Sequence, residues 1–257
     1  MRPRSGILWL VDQGAQEVAA GVKQPVQLAT PQRAAAVLSR VGFLSGLDPE
    51  VIFALSKQLR QTTVLRGEVV YNQDEPADGL HIIVAGKVKI CCHSADGREQ
   101  LLAIRGSGDI LGAVSVLDRG PRTATAIAVT DVYTAVVDNI TLQSWMAERP
   151  QIAQQLLQFM AGRLRLANNH LLDIVFDDVP GRVARELLHL AQRFGTQSGE
   201  SWQVTHDLTQ TEIAQLVGAT RESVNKALCD FVQRGWITTN GKTTQIHHPQ
   251  LLAKRAG

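Results

Sequence analysis

Residues 209–228 have the sequence TQTEIAQLVGATRESVNKAL, and this stretch decides the fold of the C-terminal part of the chain. Thr209 is a natural N-cap residue, and Glu212 three positions later completes a capping box, so a helix is predicted to begin here. Gly218 can take the left-handed conformation that ends a helix and turns the chain. Thr220 is then placed to cap a second helix. The pattern predicts two short helices joined by a tight turn.

The second helix of this pair has an apolar and a polar face. Val224 and Leu228 are four residues apart, so both are expected to face inward. Near its N-terminal end the outer face presents Arg221, Glu222, Asn225 and Lys226. A helix-turn-helix protein places such side chains against base edges in the major groove of DNA. The alternative is a surface helical hairpin with solvated charges, but the two caps, the turn and the side-chain types favour DNA binding.

The bulk composition is that of an ordinary globular protein. The chain has 257 residues, of which 44% are hydrophobic and 19% charged, and this length allows two domains. Net charge is +2, and from Gly181 onward nine basic residues face six acidic ones, so the motif carries the DNA argument better than the charge does. No apolar run is long enough to cross a membrane, and the apolar stretch at residues 7–11 is too short for a signal peptide. We expect a cytoplasmic protein without a membrane partner.

The reactive side chains do not suggest an enzyme. Cys91, Cys92 and Cys229 form neither a metal-ligand spacing nor a plausible disulfide set, which is typical of a reducing compartment. Neighbouring strand residues point to opposite faces, so Cys91 and Cys92 should not pair. The sequence contains no Ser/His/Asp order, metal spacing or Walker loop that would indicate catalysis.

The N-terminal half has the pattern of an antiparallel β-domain. Between residues 62 and 138, β-branched runs alternate with Gly and Asp turns, which predicts a barrel or sandwich. Ala85-Gly86 and Asp96-Gly97 are hairpin signals. The predicted strands cover residues 68–71, 80–84, 87–90, 100–104, 124–129 and 132–137. Ahead of them we predict short helices at 34–40 and 49–59, and a poorly ordered or loosely helical extension over residues 1–31.

A long helix is predicted over residues 151–176, with two apolar stripes. One has the 3-4-3-4-3 spacing of a coiled-coil seam and consists of Leu157, Met160, Leu164, Ala167, Leu171 and Ile174. The neighbouring stripe consists of Ile152, Leu156, Phe159, Arg163 and Leu166. Both stripes must be buried, one on the β-domain and the other against a second copy, which favours a parallel homodimer. The alternative is one broad stripe on a single core.

After this helix the chain is predicted to form a second domain. Pro180 suits the start of the next helix, whose amphipathic part covers residues 182–194. Strands are predicted at 202–205, 236–239 and 243–247, and Asn240-Gly241 is a two-residue turn between the last two. A hairpin behind a helix-turn-helix is the wing of a winged helix.

One loop of the β-domain has the residues of an anion site. Residues 108–126 have the sequence GDILGAVSVLDRGPRTATA, in which a short apolar helix precedes Gly-Pro-Arg-Thr. Backbone N–H groups at the helix start can hold an anion, Arg122 offers a bidentate fork for phosphate oxygens, and Thr123 adds a hydroxyl. The alternative is a surface turn with a solvated arginine.

Over residues 38–250 the chain resembles the CRP/FNR regulators. The stretches VPGRVA (179–184), THDLTQ (205–210) and RGWI (234–237) are similar to those of actinobacterial cAMP receptor proteins. The resemblance implies an α+β fold: an N-terminal β-roll domain of the cyclic-nucleotide-binding type, a long dimerisation helix and a C-terminal winged helix-turn-helix. The implied boundaries are 1–31 for the extension, 32–150 for the β-roll, 151–178 for the helix and hinge, and 179–257 for the DNA-binding domain.

The resemblance implies an incomplete nucleotide pocket. The family's phosphate-binding Arg and Ser/Thr are matched by Arg122 and Thr123, and its long-helix Arg by Arg163. Its glycine is matched by Gly112, but Ala113 stands where cAMP-binding relatives have a ribose-binding Glu. The adenine-contacting Thr and Ser/Asn align with Ala167 and Asn168. A lost hydrogen bond to a charged acceptor costs roughly 1.5–3 kcal/mol, so we expect cAMP to bind weakly or not at all.

Other sensors of this family leave few traces here. An iron–sulfur type needs an N-terminal cysteine cluster, and residues 1–40 contain no Cys. A haem type needs an axial histidine, but His81 and His93 are expected at an exposed strand end and in a turn. We therefore expect no metal, haem or iron–sulfur cluster. A redox-responsive regulator acting through Cys91 and Cys92 is an alternative.

The resemblance also implies how DNA is bound. Arg221 matches the arginine that reads guanine, Glu222 the acceptor from cytosine, and Lys226 a third basic position. Backbone contacts are implied for Thr209, Thr220, Ser223 and, in the wing turn, Lys242. This implies two half-sites similar to TGTGA…TCACA, about one helical turn apart. The implied partners are double-stranded DNA, a second copy of the chain and RNA polymerase; the competing hypothesis is a low-specificity nucleoid protein.

Overall fold

Two four-stranded antiparallel sheets make up the N-terminal half of the computed structural model, which describes residues 35–36, 38–39, 41–44 and 46–257. One sheet has the order β1-β8-β3-β6 and the other β2-β7-β4-β5. The strands are β1 (Arg60–Val64), β2 (Val69–Tyr71), β3 (Gly79–Ala85), β4 (Val88–His93), β5 (Glu99–Arg105), β6 (Ile110–Leu111), β7 (Thr125–Ala128) and β8 (Val132–Asp138). The six predicted strands are all present. Strand β1 was not predicted because four of its five residues are polar and alternate poorly.

Short helices with fully described bounds flank this β-roll, namely α1 (Pro49–Ser56), α2 (Ala113–Leu117) and α3 (Asn139–Glu148). Helix α3 begins after Asp138, whose carboxylate accepts a hydrogen bond from the backbone N–H of Thr141 at 2.8 Å. Its Trp145 is fully buried, and the indole N–H donates to Gln58 Oε1 at 2.8 Å. This satisfies the one polar group of a large apolar side chain. The predicted extension over residues 1–31 lies outside the described residues, as does part of the helix predicted at 34–40.

Helix α4 (Pro150–Phe176) divides into a packed and an uncovered part. Ile152 and Leu156 are buried in the core of the β-roll. Farther along, Leu157, Leu164 and Leu171 have 69%, 63% and 61% of their surface exposed. Seven of the large side chains between residues 164 and 176 are exposed in this way, namely Leu164, Leu166, Leu171, Leu172, Ile174, Val175 and Phe176. The helix therefore carries an apolar surface that is left exposed among the described residues.

The C-terminal half is a winged helix. It comprises α5 (Val179–Phe194), β9 (Gly195–Ser198), β10 (Ser201–Thr205), α6 (Gln210–Val217), α7 (Arg221–Gln233), β11 (Ile237–Asn240), β12 (Thr243–Ile246) and α8 (Pro249–Ala256). Its antiparallel sheet has the order β11-β12-β10-β9. The two elements that the sequence did not predict, β9 and α8, are short, and β9 is mostly polar and exposed. The predicted fold class is confirmed.

The β-roll and the winged helix are in direct contact. Cys91, Leu101 and Ile104, from β4 and β5, join the apolar core of the helix-turn-helix. Gln100 Nε2 donates to the carbonyl oxygen of Gln215, and Gln215 Nε2 donates to that of Glu99, each at 2.8 Å. Helix α6 is thus held against the edge of the β-roll by both apolar and polar contacts.

Two salt bridges frame this contact. Lys87 Nζ lies 2.8 Å from Asp207 Oδ2, and Lys89 Nζ lies 3.3 Å from Glu212 Oε1. All four side chains are less than one quarter exposed, so water screens these pairs less than it screens surface pairs. The described part of the chain contains no helix that is long and apolar enough to cross a membrane.

Candidate functional site

The helix-turn-helix is built by the capping residues that the sequence showed. Thr209 Oγ1 accepts from the backbone N–H of Glu212 at 3.2 Å, and Glu212 Oε2 accepts from that of Thr209 at 2.8 Å, which is a complete capping box. Gly218 ends α6 with φ +61°, a conformation that a side chain would strain. Thr220 caps α7 by accepting from the backbone N–H of Ser223 at 3.2 Å. These contacts fix the angle between the two helices.

The outer face of α7 is polar and exposed. Val224, Ala227, Leu228 and Phe231 are buried, and the opposite face carries the exposed side chains of Arg221, Glu222, Asn225 and Lys226. Hydrogen bonds from its own backbone N–H and from Thr220, followed by the charges of Arg221 and Lys226, lower the pKa of Glu222. An ionised carboxylate between two cations suits recognition of donors and acceptors on base edges.

The wing hairpin follows α7 in the chain. Strands β11 and β12 pair from Asn240 with Thr243 to Ile237 with Ile246. The turn between them is Gly241-Lys242 and not Asn240-Gly241 as predicted, because Asn240 still pairs as the last residue of β11. Lys242 is exposed at the tip, while its carbonyl oxygen accepts from the backbone N–H of His206 at 3.0 Å. Of the predicted contact residues, Thr209, Thr220 and Lys242 are exposed and Ser223 is partly buried.

In the β-roll, Arg122 is a buried side chain and not a solvated turn residue. Its Nη2 donates to Asp78 Oδ1 at 2.5 Å and to the carbonyl oxygen of Gly79 at 2.8 Å, and its Nη1 donates to that of Gly112 at 3.3 Å. Its Cζ lies 4.2 Å from the centroid of the Tyr71 ring. The guanidinium is thus held in a fixed orientation, and its Nε is buried without a partner among the described residues.

Gly112 is required at its position in the cassette. Its φ is +75°, and a Cβ there would lie 1.8 Å from Arg122 Nη1, so any side chain would displace the guanidinium. The next residue, Ala113, is buried and supplies no carboxylate. Thr123 is exposed beside Arg122. Helix α2, which follows Gly112, has only five residues. Its peptide dipoles therefore contribute little to anion binding at its N-terminus, which the sequence had suggested as part of the site.

Tyr71 lies under the Arg122 guanidinium, and no sequence pattern pointed to it. Burial raises the pKa of its phenol, while the positive charges of Arg122, Arg163 and Arg105 oppose that rise. Arginines from three different elements therefore act on one side chain: the loop before β7, helix α4 and the end of β5. No sequence signal connected Arg105 or Asp78 with the cassette, because they lie 17 and 44 residues before Arg122.

Other predicted residues are not brought into the pocket. Ala167 and Asn168 are exposed on α4, and no hydrogen bond or ion pair links them to the pocket among the described residues.

Two residues predicted for the dimer seam pack within their own chain. Met160 packs partly against the β-roll core, so it is less free for a seam than Leu157 or Leu164. Ile174 lies against the turn at Gly218, where an added Cβ would meet its Cδ1 at 3.3 Å.

The histidines and cysteines also have defined surroundings. His81 is not at an exposed strand end as predicted: it is buried within β3, because the strand extends on both sides of it, and its Nε2 lies 3.2 Å from Asp78 Oδ1. Burial lowers its pKa, against the opposing effect of Asp78. His93 is half exposed at the end of β4. Among the described residues no group of three or more His, Cys, Asp or Glu side chains could hold a metal ion.

Cys91 and Cys92 point to different surroundings, as the strand geometry predicted. Cys91 is buried and Cys92 is partly exposed, and all three cysteines are free. Burial raises the pKa of Cys91 to about 12 and also raises the pKa of Cys92. The reactive thiolate is disfavoured at neutral pH in both, so the redox alternative gains no support from these surroundings.

Comparison with known proteins places this arrangement in a family. A family model described as Cyclic nucleotide-binding domain matches residues 61–149, and one described as Crp-like helix-turn-helix domain matches residues 181–255. A CRP-like cAMP-activated global transcriptional regulator of Mycobacterium tuberculosis is 53% identical over 220 residues, which cover 86% of this chain and 98% of the relative. The chain belongs to the CRP/FNR family.

More distant members of the CRP/FNR family are also similar to this chain over most of their length. The Cyclic AMP receptor protein of Thermus thermophilus is 28% identical over 82% of this chain and 94% of its own length. The solved structure of FixK2 from Bradyrhizobium japonicum superposes with a TM-score of 0.68 at 26% identity, over 77% of this chain and 98% of FixK2. The CRP/FNR relatives are transcription regulators and not enzymes.

Proposed function

We propose that this CRP/FNR regulator acts as a homodimer that binds a TGTGA-like palindrome in double-stranded DNA. The observation that carries the proposal is the exposed set of Arg221, Glu222 and Lys226 at the N-terminal end of a capped helix with a buried opposite face. Arginine donates bidentately to guanine, and glutamate accepts from cytosine. Thr209, Thr220, Ser223 and Lys242 would hold the phosphate backbone. Contact with RNA polymerase and a cytoplasmic location belong to the same proposal.

The division of the chain is part of this proposal. Residues 32–150 form the sensory domain, 151–178 the dimerisation helix and hinge, and 179–257 the DNA-binding domain. The uncovered leucines of α4 support an interface with a second copy, because soluble proteins rarely leave contiguous apolar surface of this kind unused. Two helix-turn-helix units related by a two-fold axis would match the symmetry of a palindrome.

The DNA contact is tested by Arg221→Ala, with Arg234→Ala as its control. Arg234 is a charge on the other end of α7, where it pairs with Asp230 at 2.8 Å. We expect Arg221→Ala to weaken binding to a TGTGA palindrome by roughly 1–3 kcal/mol and to relax preference at the contacted guanine. Binding curves on palindromic and random DNA at one salt concentration measure this. Equal losses on both DNAs would contradict base reading by Arg221 and support the low-specificity nucleoid alternative.

We also propose that the β-roll pocket is an effector site in which cAMP binding is weak or absent. Ala113 and Ala167 stand where cAMP-binding relatives have a carboxylate for the ribose and a hydroxyl for the adenine. Arg122 and Thr123 would still bind the phosphate. A ligand shifts the DNA-competent population only through its different affinity for the two states, so weak binding also means weak activation. Calorimetry of the ligand-stripped dimer should show no micromolar cAMP binding. Tight binding with a strong gain in DNA affinity would contradict this.

A further inference from the structure

The winged helix is attached to the rest of its chain at two separate places. The first is the hinge between α4 and α5, where Arg182 Nη1 donates to the carbonyl oxygen of Asp177 at 2.6 Å. The second is the contact of the β-roll with α6 and the end of α5, which we call the interdomain contact. A domain held only at a hinge can rotate about it, whereas a second attachment away from the hinge removes that freedom. The interdomain contact therefore limits how the winged helix can turn.

Ion pairs and hydrogen bonds join the two halves along the interdomain contact. Arg193 Nη2, near the end of α5, lies 2.5 Å from Asp109 Oδ2, which precedes β6. Lys87, directly before β4, donates from its Nζ to the carbonyl oxygen of Thr205 and lies 2.8 Å from Asp207 Oδ2. Asp207 has φ +63°, a left-handed conformation that Asp and Asn adopt more readily than other residues with side chains. Lys87 thus anchors the segment between β10 and α6.

This anchored segment leads directly to the elements proposed to contact DNA. The backbone N–H of His206 donates to the carbonyl oxygen of Lys242, in the wing turn, at 3.0 Å. Thr205 Oγ1 lies 3.0 Å from Thr243 Oγ1, at the start of the last wing strand. Farther along the chain, Thr209 caps α6. The β-roll therefore holds the wing and the start of the helix-turn-helix as one unit.

Apolar packing makes the interdomain contact continuous. Cys91 and Leu101 of the β-roll are 0% and 1% exposed in the core that they share with the winged helix. Gly106, which follows β5, lies so close to α5 that an added Cβ would be 2.5 Å from Phe194 Cε1. Lys87 Nζ lies 5.3 Å from the centroid of the same Phe194 ring. Close packing of this kind resists rotation of one half against the other.

The surface proposed to bind DNA stays exposed while the two halves are in contact. Arg221, Glu222 and Lys226 on α7 are exposed, and so is Lys242 in the wing turn. The β-roll of the same chain therefore positions the winged helix without covering its recognition side chains.

We propose that the interdomain contact sets the half-site spacing that the homodimer accepts on DNA. In a two-fold dimer joined along α4, the distance and rotation between the two α7 helices follow from the orientation of each winged helix relative to α4. The spacing of the two half-sites must match this geometry. The inference rests on the proposed binding of a palindrome by a homodimer, and it adds the geometry that the palindrome must have.

Palindromes with different spacers test this role. Each base pair added between the TGTGA and TCACA half-sites moves them apart by about 3.4 Å and turns them by about 35°. We expect the unmodified full-length protein to bind one spacer at least about tenfold more tightly than spacers two base pairs shorter or longer. Lys87→Met should reduce this ratio to about threefold or less, because the hinge alone then leaves the winged helix free to rotate. An unchanged ratio would overturn the proposal.

Two further variants separate positioning from charge and from folding. Lys57→Met removes an exposed positive charge at the end of α1 and should keep the spacer preference. Binding to a duplex with a single half-site should be equal in Lys87→Met and Lys57→Met. Gln100→Ala leaves the charge unchanged and removes the 2.8 Å hydrogen bond to the carbonyl oxygen of Gln215, so it should also weaken the spacer preference. If Lys87→Met is misfolded, Gln100→Ala decides, and an unchanged preference there would overturn the proposal.

Thiol labelling measures the interdomain contact without DNA. In a Cys92→Ser, Cys229→Ser protein, Cys91 is the one remaining thiol of the chain, and it is buried in the shared core. We expect Lys87→Met and Gln100→Ala to speed its reaction with a disulfide reagent at least about threefold relative to Lys57→Met, because separation of the halves exposes the thiol. Lys89 is left unchanged, since its charge acts on the pKa of Cys91. Equal labelling rates would overturn the proposal.

Failure of the proposed function is seen in a different measurement. It would appear in the unmodified protein, as equal binding to palindromic and random DNA, and would remove the basis of this inference as well. Failure of the inference alone would appear only in the variants, as an unchanged spacer preference in a protein that still binds its palindrome specifically.

Discussion

At the scale of single residues, the state of Arg122 is set by Asp78. Partial burial would raise the pKa of Asp78, but hydrogen bonds and charges from His81 and Arg122 together hold it below its usual value. The carboxylate is therefore ionised at neutral pH and neutralises a guanidinium that is itself fully buried. Asp78 contacts two buried side chains at once, because its Oδ1 also lies 3.2 Å from Nε2 of His81. This pairing holds the Arg122 guanidinium in place.

Asp78→Asn should therefore destabilise the protein by more than the loss of an exposed pair. We expect a cost of roughly 1–3 kcal/mol, since a buried cation loses its partner while the half-exposed Asp78 site lets water compensate in part. Asp96→Asn breaks an exposed pair with Arg98, which water and salt screen, and should change the stability little. Urea unfolding of both variants measures the difference. Inorganic phosphate should restore part of the loss in Asp78→Asn only; identical unfolding curves for the two variants would argue against the role of Asp78.

At the scale of elements, the hinge and the wing each depend on one buried or bridging side chain. Arg182, in α5, donates to the carbonyl oxygens of Asp177 at 2.6 Å, Val217 at 2.8 Å and Gly218 at 3.2 Å, so it joins the end of α4 to the turn of the helix-turn-helix. His206, which directly follows β10, is buried, and its Nδ1 accepts from the backbone N–H of Leu208 at 3.1 Å. This bond orients the entry into α6 and needs an unprotonated ring nitrogen.

The stability of the wing should depend on pH through His206. Burial lowers its pKa to about 4, against an unfolded value near 6.5. Between these values the unfolded chain binds a proton that the folded protein does not, so stability is complete above pH 6.5 and falls as pH decreases toward 4, by about 3 kcal/mol at most. Urea unfolding from pH 7.5 to 5 should show a shallower loss for His206→Gln than for the unmodified protein. His93→Gln, at a half-exposed site, is the control, and parallel curves for all three proteins would contradict the assignment.

At the scale of the whole molecule, two surfaces stand out. One is the contact of β4 and β5 with α6, framed by the Lys87–Asp207 and Lys89–Glu212 pairs. Glu212 belongs to this contact and to the capping box of α6, so the start of the helix-turn-helix is tied to the β-roll. The other surface is the uncovered apolar side of α4.

Assembly through α4 is tested by Leu164→Asp. Leu164 is 63% exposed within one chain, so a carboxylate there should leave each chain folded but should place a charge in the proposed seam. We expect a monomer by sedimentation and a loss of palindrome binding, with unchanged circular dichroism. Ile140→Asp, at an 82% exposed apolar position on α3, should remain a dimer. A Leu164→Asp protein that still sediments as a dimer would locate the interface elsewhere.

The winged helix could be predicted from sequence because its determinants are local. The capping box of Thr209 and Glu212, the left-handed Gly218 and the cap at Thr220 each act within a few residues. The same holds for the Asp96-Gly97 turn between the paired strands β4 and β5. The hairpin predicted at Ala85-Gly86 was wrong, because β3 and β4 lie in different sheets and do not pair; a local turn signal does not say which strand becomes the neighbour. Arg122 and Thr123 were recognised for a similar reason, since their cassette is contiguous. Roles in DNA binding and dimerisation follow from these patterns only as proposals.

Tertiary structure decided what surrounds those residues. Asp78 and Tyr71 reach Arg122 across 44 and 51 positions of the chain, and Arg105 acts on Tyr71 from another strand; no local periodicity encodes such meetings. His81 was expected at an exposed strand end, but the strand continues past it and packing buries it. Propensity and capping depend on neighbours in sequence, whereas burial, charge compensation and pKa depend on which distant segments the fold brings together. The burial and the charge compensation of Arg122 therefore depend on tertiary structure and could not be predicted from the sequence.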